Sequence, residues 1–322
     1  MVFKPKLATL AVLGCIFIIH AMSTSCARSR IPADRTGRVS KSLTHQGLQR
    51  DYHLYIPSSY RHSAATPLVI ALHGGGGNGP KMEKLSRLSL LADQYGFIVA
   101  YPDAVEHHWN DGRGLSKYRS QREKIDDVGF ISGMMDAIAG DYHMDAKRVY
   151  VTGASNGAMM SLRLGCELAD RIAAIAPVIG SMPENLVAQC APARPLPLIM
   201  INGTEDPLVP WEGGYVHVFR KKLGKIISVQ QTIDFWVARN GCSPNPQISM
   251  VPDTEPDDGT RVQKSAYLQC TDGAGVVLYA IKGGGHTWPG GYQYLPKFLI
   301  GATSRDLNAS ETIWNFFHGH SR

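Results

Sequence analysis

Charge of one sign never collects into a long tract in this chain, no segment repeats with a fixed period, and no heptad pattern is sustained. These absences exclude a solenoid, a coiled coil and a basic nucleic-acid arm. Lys and Arg exceed Asp and Glu by only 33 to 27, too diffuse an excess for nucleic acid to be a partner. No His-x-x-x-His pair and no His/Cys cluster shows metal-ligand spacing, so neither a metal nor another cofactor is expected. Past residue 25 no segment supplies the roughly 20 apolar residues that span a bilayer. No Pro/Ser-rich linker follows Asp51, so residues 51–322 read as one domain. Charged residues make up 19% and hydrophobic ones 44%, which suits a globular protein and not a disordered one.

What is present begins with an address. Lys4 and Lys6 precede an apolar stretch at 7–22, interrupted by Gly14 and His20, and small residues follow at 23–27. Basic, then apolar, then small is the order of a secretory signal. Residues 1–25 are read as a signal peptide, and the mature protein as secreted or extracytoplasmic. Cys26 lies at the junction. Cleavage after Ser25 would leave it N-terminal and open to lipidation, although Ser23 stands where lipoprotein signals carry Leu. Such an anchor is the one membrane attachment expected, with 26–50 as its tether. Cys166, Cys190, Cys242 and Cys270 remain, an even number that suits an oxidising compartment. Four cysteines allow three pairings. The sequential one, Cys166–Cys190 with Cys242–Cys270, is favoured, and each bridge stabilises by about 3–4 kcal/mol.

From Asp51 the pattern is regular. Tyr52, Leu54 and Ile56 alternate with polar neighbours, which predicts a strand. Apolar runs at 68–72 and 97–101 have the look of buried strands, and 149–151, 172–179, 198–201 and 276–281 are read as further strands. Between them, 3.6-residue spacing predicts helices at 81–95, 126–142, 156–168 and 228–239, with a last one at 309–318. Strands alternating with helices predict an α/β fold, a mostly parallel central sheet with helices on both faces. Its ligand site belongs beyond the carboxyl ends of the strands.

Gly153-Ala154-Ser155-Asn156-Gly157 sits between a strand and a helix. That is G-x-S-x-G in the context a nucleophile elbow requires: a sharp turn that exposes the Ser155 hydroxyl. The N–H of Asn156 would face the oxyanion. The bland alternative is a Gly/Ser turn with Ser155 as an ordinary helix cap. His73 followed by Gly74 to Gly77 ends the 68–72 strand. Its glycines let the backbone approach a ligand and supply a second oxyanion donor from Gly74 or Gly75. Gly74, Gly76 and Gly79 also fit G-x-G-x-x-G, but the preceding strand is not the first of its sheet, and an exported protein has little access to NAD. Pro80 where a P-loop needs Lys excludes that motif.

A triad on this fold runs Ser, acid, His along the chain. The loop after strand 198–201 offers Asp206, with Glu205 as runner-up; the loop after strand 276–281 offers His286. His286 would take the Ser155 proton, and Asp206 would hold the imidazole in the right tautomer. Trp109, Trp211 and Trp288 lie in loops at the same edge and are candidate substrate-binding walls, or else loop packing. Trp236 and Trp314 lie on helices and are expected in the core. Asp126 and Asp127 open a helix and read as caps.

With these residues in hand, the chain resembles the exported esterases grouped with polyhydroxybutyrate depolymerases and with feruloyl and acetylxylan esterases. The likeness is carried by Leu72-His73-Gly74-Gly75, Tyr101-Pro102-Asp103, Trp109-Asn110, Asp126-Asp127-Val128-Gly129-Phe130, the Ser155 elbow, Gly203-Thr204-Glu205-Asp206 and Gly285-His286-Thr287-Trp288-Pro289-Gly290. The resemblance implies an α/β-hydrolase fold and a Ser155–Asp206–His286 triad, and supports the sequential disulfide pairing. Secreted depolymerases of this type often carry a linker and a polymer-binding domain after the catalytic one. The sequence ends just past the 309–318 helix, so the expected substrate is a soluble ester: a hydroxycinnamoyl or acetyl group on a plant-wall sugar, or a short hydroxyalkanoate oligomer. Two rivals are an exported serine peptidase on the same fold and a non-catalytic glycan-binding surface protein. Peptide turnover exceeding ester turnover would favour the first, and sugar binding untouched by Ser155→Ala the second.

Overall fold

The computed structural model describes residues 1–4, 36–218 and 221–322. Most of the signal sequence, Cys26 and the start of the tether lie outside the described residues. The chain divides into two units, Met1–Ile31 and Pro32–Arg322, and the fold belongs to the second. Its strands are β1 (Gly37–His45), β2 (Leu48–Ile56), β3 (Thr66–Leu72), β4 (Ile98–Pro102), β5 (Met144–Ala154), β6 (Ala174–Val178), β7 (Leu198–Gly203), β8 (Gly214–Val218), β9 (Lys221–Ile226), β10 (Gln247–Met250), β11 (Arg261–Tyr267) and β12 (Val276–Lys282). Its helices are α1 (Gly79–Ser86), α2 (Leu88–Tyr95), α3 (Arg119–Arg122), α4 (Asp127–Asp141), α5 (Asn156–Glu167), α6 (Glu184–Val187), α7 (Val229–Arg239), α8 (Lys297–Ile300) and α9 (Ala309–Phe317).

Among the described residues, ten strands form one sheet in the order β1-β2-β4-β3-β5-β6-β7-β12-β11-β10. The stretch from β4 to β12 is parallel, and antiparallel strands extend both edges. The middle strands β3, β4, β6 and β7 are buried along their whole length, because helices cover both faces. On one face Val69, Ala71, Ala176 and Ile201 pack with Leu88, Ala92, Trp314 and Phe317 of α2 and α9. On the other, α5 lies so close that a Cβ on Gly165 would meet Ile175 and Trp236. Trp236 and Trp314 are both core residues. Asp126 caps α4 through the Gly129 N–H, and Ser228 and Gln231 form a reciprocal capping box on α7.

Three expectations need correction. The tether of 26–50 is too long: residues 37–45 and 48–50 are strand. β1 is an edge strand whose inward positions are few, with Val39 buried among exposed Arg38, Ser40, Ser42 and Thr44, so it carries little apolar signal. The 81–95 helix is two helices broken at Arg87, whose φ of 56° is left-handed. Asp127 is not a cap. Its buried carboxylate pairs with Arg50 at 2.6 Å and accepts from the Asn110 N–H at 2.7 Å.

Cys166–Cys190 and Cys242–Cys270 are both bonded. The first ties the end of α5 to the loop before β7, the second the end of α7 to the turn before β12. Replacing either pair by Ser is expected to cost about 3 kcal/mol, read as a lower urea midpoint with a slope that rises as the unlinked unfolded chain opens. A midpoint equal to that of the parent chain would show the bridges do not constrain the unfolded state.

Candidate active site

Five parallel strands deliver their carboxyl ends to one place: β3 to His73, β5 to Ser155, β6 to Ile179, β7 to the Asp206 loop and β12 to the His286 loop. Between β5 and α5 the chain reverses at Ser155, whose φ of 56° and ψ of −115° lie in a sparsely populated region. The turn is held from both sides, since the Ser155 N–H donates to Val178 O and the Ser155 carbonyl accepts from the Met159 N–H, each at 3.0 Å. Gly157 makes the turn possible: a Cβ there would strike the backbone carbonyls of Leu72 and His73, and one on Gly153 the carbonyl of Gly157. Ile179, next to this turn, also has a positive φ of 48°, unusual for a β-branched residue.

The glycine loop after β3 runs beside Ser155. A Cβ on Gly74 would lie 3.5 Å from Ser155 Cβ, and one on Gly75 3.7 Å from Asn156 Cβ. His73 organises this loop. Its Nε2 accepts from the Ala104 N–H at 3.1 Å, so the proton sits on Nδ1, which donates to Gly74 O at 2.8 Å. Gly74 O also accepts from the Gly77 N–H at 2.9 Å. Burial pushes the His73 pKa down to about 4 and keeps the ring neutral. The far end of the loop is held by Asp103, which accepts from the Gly79 N–H at 2.6 Å.

Asp206 and His286 are brought together. The Asp206 carboxylate bonds His286 Nδ1 at 2.6 Å, and its other oxygen accepts from the N–H groups of Leu208 and Val209, each at 2.8 Å. Both side chains are almost fully buried, whereas Glu205, the runner-up, is exposed. Behind Ser155, Asn156 is locked by a buried network. Its Oδ1 accepts from the Trp109 N–H at 2.8 Å and its Nδ2 donates to Asp111 at 2.6 Å. Asp111 in turn pairs with Arg113 at 2.7 Å, and Arg113 donates to Leu223 O on β9.

Ser155, His286, Gly74, Gly75 and Asn156 line a cavity of about 640 Å³. Its walls come from α1 (Met82, Leu85), the β8–β9 hairpin (Val216, Leu223) and the segment 292–300. The tryptophan expectation is corrected here. Trp109 and Trp288 are buried packing residues, their indole N–H groups spent on His73 O at 2.9 Å and Ser310 Oγ at 3.0 Å. Trp211 is half-buried and lies outside the cavity lining. The aromatic wall is instead Tyr118, Tyr292, Tyr294 and Phe298, with His108 stacked on Tyr118 at 3.7 Å. Tyr118, Tyr292 and Tyr294 lie in irregular segments and Phe298 in the single turn of α8, all too short for periodicity, and no sequence signal marked them.

A strained serine between a parallel strand and a helix, facing a cavity that also holds a buried carboxylate–histidine pair, defines an α/β-hydrolase. Among solved structures, the acetyl xylan esterase from Aspergillus awamori shares this fold, with a TM-score of 0.53 at 17% identity over 77% of this chain and 94% of that one. The model of the family described as Esterase PHB depolymerase matches residues 50–186. The protein named "Putative esterase NocK" of Nocardia uniformis subsp. tsuyamanensis is 31% identical over 298 residues, 90% of this chain and 85% of that one. Feruloyl esterase B of Piromyces equi is 31% identical over 236 residues, 71% of this chain but 41% of that protein. The chain belongs to the esterase PHB depolymerase family and is a carboxylic ester hydrolase.

Two consequences can be measured. Gly157→Ala puts a methyl against two backbone carbonyls that cannot move aside, so the variant should lose most activity and melt lower; a variant with parental turnover would show that the close approach is dispensable. Below an ordinary histidine pKa of 6.5, the unfolded chain takes up a proton that folded His73 refuses until about pH 4. Stability should therefore fall as pH drops through that window, by up to about 3 kcal/mol. Urea midpoints at pH 7 and pH 4.5 test this, and His73→Asn should shrink the difference.

Proposed function

We propose that the protein hydrolyses carboxylic esters through an acyl-enzyme, with Ser155 as nucleophile, His286 as base and acid, and Asp206 as the orienting carboxylate. The observation that carries the reading is the buried 2.6 Å bond from Asp206 to His286 Nδ1, in the cavity that the strained Ser155 also lines. With Nδ1–H held by Asp206, Nε2 is free to accept a proton. Ser155 attacks the ester carbonyl as its proton passes to Nε2, and collapse of the tetrahedral species passes that proton to the departing alkoxide. Water then attacks the acyl-enzyme by the same route in reverse.

Two N–H groups stabilise the oxyanion. The Asn156 N–H lies in the first turn of α5, where no preceding carbonyl can accept it. Of the two glycines, the reading selects Gly75. Gly74 O is drawn toward His73 and Gly77, and in a trans peptide the following N–H points the opposite way.

The substrate is a hydroxycinnamoyl or acetyl sugar ester or a short hydroxyalkanoate oligomer; the feruloyl and acetylxylan esterases among the relatives and the cavity of about 640 Å³ support this class. The basic, apolar, small order of the N-terminus and the two disulfides support export, with Cys26 as the point of any lipid anchor.

A fluorophosphonate should label Ser155 in the folded protein and leave Ser155→Ala unmarked. On methyl ferulate, acetylated xylan and hydroxybutyrate oligomers, Ser155→Ala should lower kcat by about 10⁶-fold and Asp206→Asn by about 10⁴-fold. Folded protein that neither labels nor turns over any of these esters would sink the reading.

A further inference from the structure

We propose that the alcohol half of the ester lies along the wall formed by residues 292–300, and that Tyr292, Leu295 and Phe298 make the enzyme favour esters of apolar alcohols. The inference rests on the triad reading above. In that mechanism the departing oxygen must receive its proton from His286 Nε2, so the leaving group has to sit on the histidine side of Ser155.

That side is built on the histidine's own backbone. The His286 N–H donates to Ile300 O at 2.5 Å, and the Tyr294 hydroxyl donates to His286 O at 2.7 Å. Whatever binds this segment is therefore in fixed register with the proton donor. The hairpin wall of Val216 and Leu223 is tied instead, through Leu223 O, to the Asp111–Arg113 pair and is left for the acyl group.

The chemistry of the 292–300 wall selects the alcohol. Phe298 is 84% exposed, Leu295 41% and Tyr292 40%, a cluster of apolar side chains at the mouth of the cavity. Of the polar side chains between them, Tyr294 and Gln293 are already committed, while Lys297 is exposed to solvent. Tyr294 OH is bonded to His286 O, and the Gln293 amide is bonded to Leu295 O, Gly301 O and the Thr303 hydroxyl. Of the substrates proposed above, this wall favours the hydroxyalkanoate oligomer over the sugar esters, because a sugar alcohol would bring several hydroxyls to a surface with few free partners and lose their hydration there. An alkyl or aryl alcohol, or the next unit of a hydroxyalkanoate chain, would cover the exposed carbons and gain from each one it covers.

The test holds the acyl group constant, as acetate and as ferulate, and varies the alcohol: methyl, butyl, hexyl and a pentose. In the parent enzyme kcat/KM should rise about two- to fourfold per methylene from methyl to butyl, mainly through KM, and the pentose ester should fall below the butyl ester. Phe298→Ser and Leu295→Ser alter exposed side chains and so leave folding intact; each should flatten the alcohol series while leaving the dependence on acyl length at constant methanol as in the parent. A flat alcohol series in an enzyme that turns over the methyl esters would overturn the proposal and spare the triad. Equal loss of both series in Phe298→Ser would also overturn it, since the rim would then be unspecific. No turnover of any ester would overturn the triad reading, and this inference with it.

Discussion

The first turn of α5 presses directly onto the end of β3, with no side chain at Gly157 to hold it off the carbonyls of Leu72 and His73. From that contact much else follows. The strand before α5 can reach the helix only through a backbone conformation that most residues avoid, which leaves Ser155 at φ 56°. The same contact carries the glycine loop after β3 alongside Ser155, so the proposed nucleophile and the proposed oxyanion donors share one locus without any connecting segment. A strained residue of this kind costs on the order of 1–3 kcal/mol, which the hydrogen bonds on both sides of Ser155 and the buried strands beneath it offset.

Parallel strands make the convergence cheap in chain length. Each of β3, β5, β6, β7 and β12 points the same way, so each following loop starts at the same edge. The Asp206 and His286 loops leave the neighbouring strands β7 and β12, and are stitched together by Thr204 N–H to Ile281 O and Glu205 N–H to Gly284 O. The carboxylate thus meets the imidazole through rigid neighbours. The antiparallel strands at either edge deliver no residue to this site; they widen the sheet and, through Arg50 on β2, anchor the start of α4.

What was legible in the sequence follows from that division. A strand buried on both faces must be apolar throughout, and β3, β4, β6 and β7 announced themselves in that way. The elbow, the glycine loop and the two loops bearing Asp206 and His286 were legible because close backbone approach demands glycine at fixed positions. The edge strand β1 and the hairpin β8–β9 were not, because they bury few positions: Val39 in β1, Val216 in β8, and Leu223 and Ile226 in β9. The tryptophans misled for a related reason. Position in a loop near the site says nothing of direction, and an indole N–H that finds a carbonyl or hydroxyl inside is more stable buried than exposed. Arg87 broke a helix that periodicity had run together, since a left-handed residue leaves the apolar spacing intact on both sides.

Two histidines of the site show how far environment, rather than residue type, sets role. His73 has a backbone N–H against one nitrogen and a carbonyl against the other. A proton added to Nε2 would face the Ala104 N–H, donor against donor, in a buried setting that already disfavours charge. That ring is therefore a fixed strut, and its neutrality is what aims the Gly74–Gly75 peptide. His286 has a carboxylate on Nδ1 and the cavity before the rest of its ring. Taking up a proton there creates a charge that Asp206 is already placed to meet. Both rings line the same cavity, one held by backbone groups on both nitrogens and the other by a carboxylate on Nδ1.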